Sequence, residues 1–278
     1  MTSFFTYPWE LYDYMWSFRD ARIESWNSNV TKGTFIIPLV LGYLYIAKVG
    51  GPRWMKDRKP YDIKGLILAF NVFTVLANLF VMCQMLRLTY VGGGYSFLCQ
   101  GTGSGDSERD MAVVSLNWWY LLVRIADFLD TFFFVARKKF SHITFLHVSH
   151  HAQVVLSGWL WLNFGSDGQP VFGICLNAFV HIIMYTYYFL AALGPSLQRY
   201  LWWKKYLTTI QIAQLVVVCT HMSLPLFIGC GYPRALSLLS MAQILLGVVL
   251  FTNFYLKTYR AGGKSGPAID EASKPKEQ

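Results

Sequence analysis

HITFLHVSHHAQVVLSGWLWLN, residues 142–163, is apolar enough in its second half to lie in a bilayer, yet its first half carries four histidines. Read as a helix, it places His147, His150 and His151 within an arc of about 100° on one face. A bilayer penalises a polar group unless the protein answers it from within, so three imidazoles on one face mark a site. The neighbouring segments must then supply the other walls of that site.

The composition agrees with a membrane setting. The 278 residues are 54% hydrophobic and only 14% charged, with a mean hydropathy of +0.36. A soluble domain carries about 25% charged residues. Apolar runs near the length of a bilayer crossing recur at about 33–49, 65–86, 112–135, 142–163, 171–193, 206–228 and 235–256. The expected class is an all-α integral membrane protein of seven transmembrane helices. The first run is short and contains Pro38, and the third to fifth are diluted by polar residues. The period-two alternation of a β-barrel is absent. Residues 1–32 are aromatic and mixed in charge, unlike a cleavable leader. The tail 261–278 is polar and is expected to be disordered.

The net charge of +9 suggests anionic partners, but so apolar a chain argues against nucleic acid. The distribution of charge is more informative. Alternate linkers and the tail hold 17 of the 24 Lys and Arg residues, and the other side of the membrane holds six. The positive-inside rule therefore predicts a cytosolic C-terminus and a lumenal N-terminus. A glycosylation sequon at Asn29-Val30-Thr31 falls on the lumenal side. Lys274 and Lys276, three and five residues from the end, fit a dilysine-type retrieval signal to the endoplasmic reticulum. Cys83, Cys175 and Cys219 lie in apolar runs and read as packing residues. Cys99 and Cys230 both fall in lumenal linkers, where oxidation is permitted, which predicts a Cys99–Cys230 disulfide. The Gly-rich linker at about 87–111 reads as a loose loop.

Three further runs turn a polar face. The third carries Arg124, Asp127, Asp130 and Thr131 within an arc of about 120°, with Arg124 and Asp127 spaced to pair. That pair reads equally as a structural link between helices or as part of the site, and either aspartate could position a histidine. The fifth run carries Asn177, His181, Met184, Tyr185 and Tyr188 on one face, and the sixth carries Thr208, Gln211 and Gln214. Four polar faces are most simply buried against one another, enclosing a pocket near the cytosolic side with an apolar tunnel beyond it. Imidazoles so placed suit metal binding or metal-free acid–base and nucleophilic work. Membrane di-iron enzymes share the His-x-x-His-His spacing but draw on more histidines than the six here. A transporter with a polar midplane site is the non-enzymatic alternative.

The segments Arg-Ile-Ala-Asp-Phe-Leu-Asp-Thr (124–131), His-Val-Ser-His-His (147–151), Asn-Ala-Phe-Val-His-Ile-Ile-Met-Tyr-Thr-Tyr-Tyr (177–188) and Thr-Thr-Ile-Gln-Ile-Ala-Gln (208–214) resemble the ordered motifs of the very-long-chain fatty acid elongases. Asp-Arg-Lys-Pro (57–60) and Leu-Trp-Trp-Lys-Lys-Tyr-Leu (201–207) fit as well. Two departures occur: Arg124 stands where the family has Lys, and Asp127 where it has Glu. Both keep the charge but change the geometry of the pair. The resemblance implies a 3-ketoacyl-CoA synthase that condenses acyl-CoA with malonyl-CoA, with no further cofactor and no metal. It also implies an inverted barrel of spans two to seven around an acyl tunnel, with span one outside. His150 or His151 would accept the acyl group. His147, His181 and Asn177 would assist at the malonyl thioester, and Asp127 or Asp130 would orient an imidazole. Arg124, Tyr185, Tyr188, Gln211 and Gln214 would line the site, with Arg137, Lys138, Lys139, Lys204 and Lys205 near the CoA phosphates. The implied partners are membrane lipid, the reductases and dehydratase of an elongation cycle, and a second copy of the chain.

Overall fold

Asn78, Arg124, Asp127, Thr131 and Gln214 are buried in this fold, while Leu66, Phe73, Leu76, Phe80, Leu239, Leu246 and Val249 are exposed. That inversion of the water-soluble pattern suits a surface that meets lipid rather than water. The structure is a computed structural model and describes residues 16–24, 26, 28–103, 105 and 107–260. The expected retrieval signal and the rest of the tail lie outside the described residues, as does the first half of the N-terminal segment.

Every described element is helical. The long helices are α1 (Gly33–Met55), α2 (Lys64–Val91), α3 (Glu108–Ala126), α4 (Phe128–Ala136), α5 (Phe145–Phe164), α6 (Pro170–Leu193), α7 (Lys204–Phe227) and α8 (Arg234–Arg260). Helices α1, α2, α6, α7 and α8 are long and apolar enough to cross a membrane. The third expected run is not one helix but two, α3 and α4, meeting at Asp127. The fourth begins later than expected: Thr144 caps α5 by accepting from the His147 amide at 3.1 Å, which leaves His142 in a separate 3₁₀ turn. An amide three residues into a helix has no intrahelical partner, so a Thr at that point sets the start. Pro38 sits inside α1, and the same helix passes through a π-helical turn at Ile46–Gly50.

Packing runs from α2 to α6, α7, α8, α5, α3 and back to α2. Helix α1 stands outside that circuit, against α5 and α4. Gly51 allows its last turn to approach α4, because a Cβ there would fall 2.8 Å from Val135 Cγ1. At one end of the bundle Lys48 Nζ donates to Ile143 O (2.9 Å), and Lys64 Nζ donates to Leu193 O (2.8 Å).

The opposite end is tied by the expected Cys99–Cys230 disulfide, with Cα atoms 5.7 Å apart. The linker expected to be loose, about 87–111, is accordingly held at residues 98–103. The Gln100 amide donates to Gln169 Oε1 (2.8 Å), and Gln169 Nε2 donates to Leu98 O (3.2 Å) and His221 O (2.7 Å). Gly168 takes φ +80°, and its Cα passes so close to Gly101 that a Cβ would meet Gly101 O at 2.5 Å. Arg22 bridges Asp20 (2.6 Å) and Asp167 (2.9 Å), fastening the segment before α1 onto the α5–α6 turn. Asn29 of the sequon is exposed in a 3₁₀ turn, and Thr31 is buried with its hydroxyl donating to Ser28 O.

Two expectations follow for this end. Cys99→Ser lowers stability by about 2–5 kcal/mol, seen as earlier thermal unfolding under non-reducing conditions; Cys230→Ser does the same, and the double variant loses no more than either. Burial pushes the Asp20 carboxyl up, but hydrogen bonds from Arg22 and Ser166 and the Arg22 charge outweigh it and hold Asp20 below its ordinary 3.8. A depressed carboxylate stabilises the fold in full above its unfolded value and loses that contribution as pH falls through the folded one. Asp20→Asn should therefore unfold earlier than wild type at neutral pH, with the gap closing as the buffer is taken below 3.8.

Candidate active site

Arg124 is 1% exposed in the heart of the bundle, and four side chains answer its charge. Its Nη2 donates to Asn78 Oδ1 on α2 (2.8 Å), and its Nη1 lies 3.2 Å from Asp127 Oδ2. The same Nη1 lies 2.5 Å from His181 Nδ1 on α6. The guanidinium is stacked 4.9 Å above the Tyr120 ring of its own helix. A guanidinium only donates, so the His181 nitrogen it faces accepts. The same Nη1 is also 3.1 Å from His181 Nε2, so the guanidinium covers both ring nitrogens of a neutral imidazole.

Asp127 sits where α3 ends and α4 begins, so the helix break itself aims a carboxylate at Arg124. Tyr185 of α6 is fully buried and brings its hydroxyl 3.0 Å from Asp127 Oδ1 and 2.6 Å from Asp130 Oδ2. One phenolic proton serves one carboxylate at a time, so Tyr185 couples the two aspartates. Neither aspartate is hydrogen-bonded to the three histidines of α5. Asp127 comes near an imidazole only at His181, 3.9 Å from Nδ1.

The histidines of α5 form their own group. The His147 and His151 rings lie 4.4 Å apart and the His150 and His151 rings 5.7 Å apart, each ring half-buried. His147 Nε2 is 2.8 Å from Thr131 Oγ1 of α4, and His150 packs edge-on to Phe251 of α8. The two polar groups come closest along α4, where Asp130 takes the Tyr185 hydroxyl and the next residue, Thr131, meets His147. Asn177 Oδ1 accepts from the Tyr120 hydroxyl (2.5 Å), and its Nδ2 donates to Gln214 Oε1 (3.3 Å). One amide N–H of Asn177 remains for another acceptor.

The remaining expected residues divide. Gln214 is buried in the site, and Gln211 turns to the Met184 sulfur (3.3 Å). Tyr188 is 41% exposed on α6, packed edge-on to Tyr185. Arg137, Lys204 and Lys205 are exposed at the end of the bundle from which α5 starts, and Lys139 is half-buried there. An apolar recess of about 360 Å³ between α1 and α4, lined by Gly50, Trp54, Phe132 and Val135, holds none of these residues. Among the described residues no three His, Cys, Asp or Glu side chains are disposed to hold a metal ion.

The family model described as GNS1/SUR4, or ELO, matches residues 29–267. The chain belongs to the ELO family. It is 36% identical over 252 residues to very long chain fatty acid elongase 4 of Homo sapiens, covering 90% of this chain and 79% of that protein. Very long chain fatty acid elongase 5 of Bos taurus is 37% identical over 248 residues, 89% of this chain and 81% of the relative. Very long chain fatty acid elongase 2 of Rattus norvegicus is 38% identical over 243 residues, 87% and 85% of the two chains. The family match spans every residue of the site, from Asn78 on α2 to Phe251 on α8.

Sequence reasoning missed Asn78, Tyr120 and Tyr43, the last of which reaches Thr131 at 3.0 Å from α1. The signal for Asn78 was present: an amide in an otherwise apolar run, as telling as a charge in another. Tyrosines carry no such signal, because they are common at membrane interfaces.

Removing one partner of a buried ion pair leaves an unanswered charge, at a cost of about 3–5 kcal/mol. Arg124→Met and Asp127→Leu should each unfold the detergent-solubilised protein well below the wild-type temperature. The double variant should recover part of the loss, which a thermal double-mutant cycle measures.

Proposed function

We propose that this chain condenses a long-chain or very-long-chain acyl-CoA with malonyl-CoA, giving a 3-ketoacyl-CoA two carbons longer, CO₂ and free CoA. The observation that carries the reading is the cluster of three neighbouring imidazoles on α5, in a bundle that also buries His181 and Asn177 of α6 in polar contacts. The names of the relatives support elongation of very long chain fatty acids as the overall process.

The chemistry follows from the groups present. A neutral imidazole of His150 or His151 attacks the acyl thioester carbonyl. The C–S bond breaks, and CoA leaves as the thiol with the proton lost from that imidazole. Acyl-imidazole is reactive toward a carbanion, and a site enclosed by apolar helices limits its hydrolysis. Malonyl-CoA then loses CO₂, and its electron pair passes to the thioester enolate. The enolate carbon attacks the acyl carbonyl, the C–N bond breaks, and the departing imidazolate takes one proton from solvent to return as neutral imidazole. The remaining Asn177 N–H is a donor available to such an enolate oxygen, with His181 one helical turn away on the same helix, and such a donor lowers the cost of developing charge. Tyr185, Tyr188, Gln211 and Gln214 shape the wall that receives the substrate.

The circuit of six helices reads as an inverted barrel around the acyl chain, with α1 outside and the chain crossing the membrane seven times. Its basic end, with Arg137, Lys139, Lys204 and Lys205, faces the cytosol and the CoA phosphates. The disulfide end faces the lumen of the endoplasmic reticulum, where Asn29 is open to glycosylation. The 3-keto product requires a reductase, a dehydratase and an enoyl reductase to become a saturated acyl-CoA, so enzymes of those classes are the expected partners, and a second copy of the chain is another.

The test is product analysis with purified protein, malonyl-CoA and a panel of acyl-CoAs. The 3-keto species two carbons longer is expected, and its absence across the panel sinks the reading. His150→Ala and His151→Ala should each lower kcat about 10²–10⁴-fold. Intact-mass analysis with acyl-CoA alone should show an acyl adduct and released CoA; if neither appears, the covalent step is wrong.

A further inference from the structure

Helix α1 lies outside the six-helix circuit, yet it and a residue just before it reach the histidine helix, the turn that leads into it, and the α4 threonine that meets His147. At one end, Trp159 Nε1 of α5 donates to Thr31 O (2.9 Å), just before α1 begins. At the other, Lys48 Nζ donates to Ile143 O (2.9 Å), two residues before α5 starts. Between them the Tyr43 hydroxyl lies 3.0 Å from Thr131 Oγ1, which lies 2.8 Å from His147 Nε2. Tyr43 is 3% exposed and Thr131 is 1% exposed. The Tyr43 ring lies flat on Phe128 at 3.9 Å with 8° between planes, so the direction of its hydroxyl is fixed. Among the described residues that hydroxyl has no hydrogen-bond partner besides Thr131.

We propose that Tyr43 is a positioning residue for His147: through Thr131 it holds His147 as the tautomer protonated on Nδ1, with Nε2 committed as an acceptor. The inference rests on the reading of α5 as the acyl-transfer helix. It follows from counting protons along the line. A buried phenol whose one polar neighbour is Thr131 Oγ1 donates to it. The Thr131 hydroxyl proton is then free to point at His147 Nε2, and every donor in the line is used. If Nε2 carried the ring proton instead, Thr131 would accept from both sides. Its own proton would be buried without an acceptor, which buried polar groups avoid.

The consequence is a division of labour within the three histidines. His147 Nε2 is occupied, so His147 is neither the acyl acceptor nor the base at that atom. The nucleophile is His150 or His151, and His147 is held against His151 with their rings 4.4 Å apart. A ring held in one tautomer and one plane cannot rotate to compete with its neighbour for the acyl group. Fixing a histidine through the hydrogen bond on its other nitrogen is a general device for choosing its tautomer.

The experiment uses the full chain in lipid nanodiscs with ¹⁵N-labelled histidine, and long-range ¹⁵N–¹H correlation reads the tautomer of each ring. Wild type should show His147 with a protonated Nδ1 and an unprotonated Nε2. Tyr43→Phe should give a mixture of tautomers and a kcat about tenfold lower, with KM for acyl-CoA unchanged. Thr131→Val should do the same or worse, and Thr131→Ser, which keeps the hydroxyl, should restore both readouts. A protonated Nε2 on His147 in wild type overturns the proposal. So does a Tyr43→Phe protein with wild-type kcat, or a Thr131→Ser protein as impaired as Thr131→Val. If wild type shows the expected tautomer and its response to Thr131→Val but forms no 3-keto product, the condensing reading falls and the positioning role stands.

Discussion

A guanidinium in the middle of an apolar bundle costs about 2.5–3.5 kcal/mol even on insertion scales that allow for local adjustment. Arg124 is kept there because Asn78, Asp127 and His181 receive it and Tyr120 lies beneath it, so helices α2, α3, α4 and α6 must meet around one side chain. Each of those partners is then fixed in turn. Asn78 also donates to the Thr74 carbonyl (2.8 Å). Asp127 ends α3, and Asp127 shares Tyr185 with Asp130. The cation therefore does two things. It gives helices with apolar outer faces a reason to choose one arrangement among many, and it sets the protonation of His181 by facing it as a donor.

The same constraint explains why the site is split into two groups of polar residues. The α5 histidines make no hydrogen bond to the Arg124 cluster among the described contacts, and their one hydroxyl partner, Thr131, lies four residues beyond Asp127 on α4. Helix α4 therefore carries one group's carboxylates and the other's hydroxyl on a single short segment. The break from α3 falls at Asp127, the residue that answers Arg124.

Much of this was legible in the residues. The five membrane-length apolar helices, the pairing of Arg124 with Asp127 and the disulfide follow from charge and apolarity along the chain, because a bilayer makes misplaced polar groups conspicuous. Helix interruptions were less visible. Nothing in Arg-Ile-Ala-Asp-Phe-Leu-Asp-Thr marks a break, as it contains neither Gly nor Pro, and the interruption is imposed by what Asp127 must reach. Glycine in the linker at about 87–111 suggests freedom when the sequence stands alone. In the folded chain Gly101 and Gly168 instead permit two backbones to touch. Tyr43 was invisible for a third reason: its helix has no polar face, and its one polar contact depends on a neighbour far along the chain.

The disulfide sets an order of events. Cys99 and Cys230 are 131 residues apart, so at about 5–20 residues per second the first thiol waits roughly 7–26 seconds on the ribosome for its partner. Helices α3 to α7 are all made in that interval. The bond cannot form before Cys230, four residues ahead of α8, has been made and the two linkers have met. Its formation therefore reports that α3 to α7 have been made and folded back on one another, and a chain halted within α7 leaves behind an unpaired thiol.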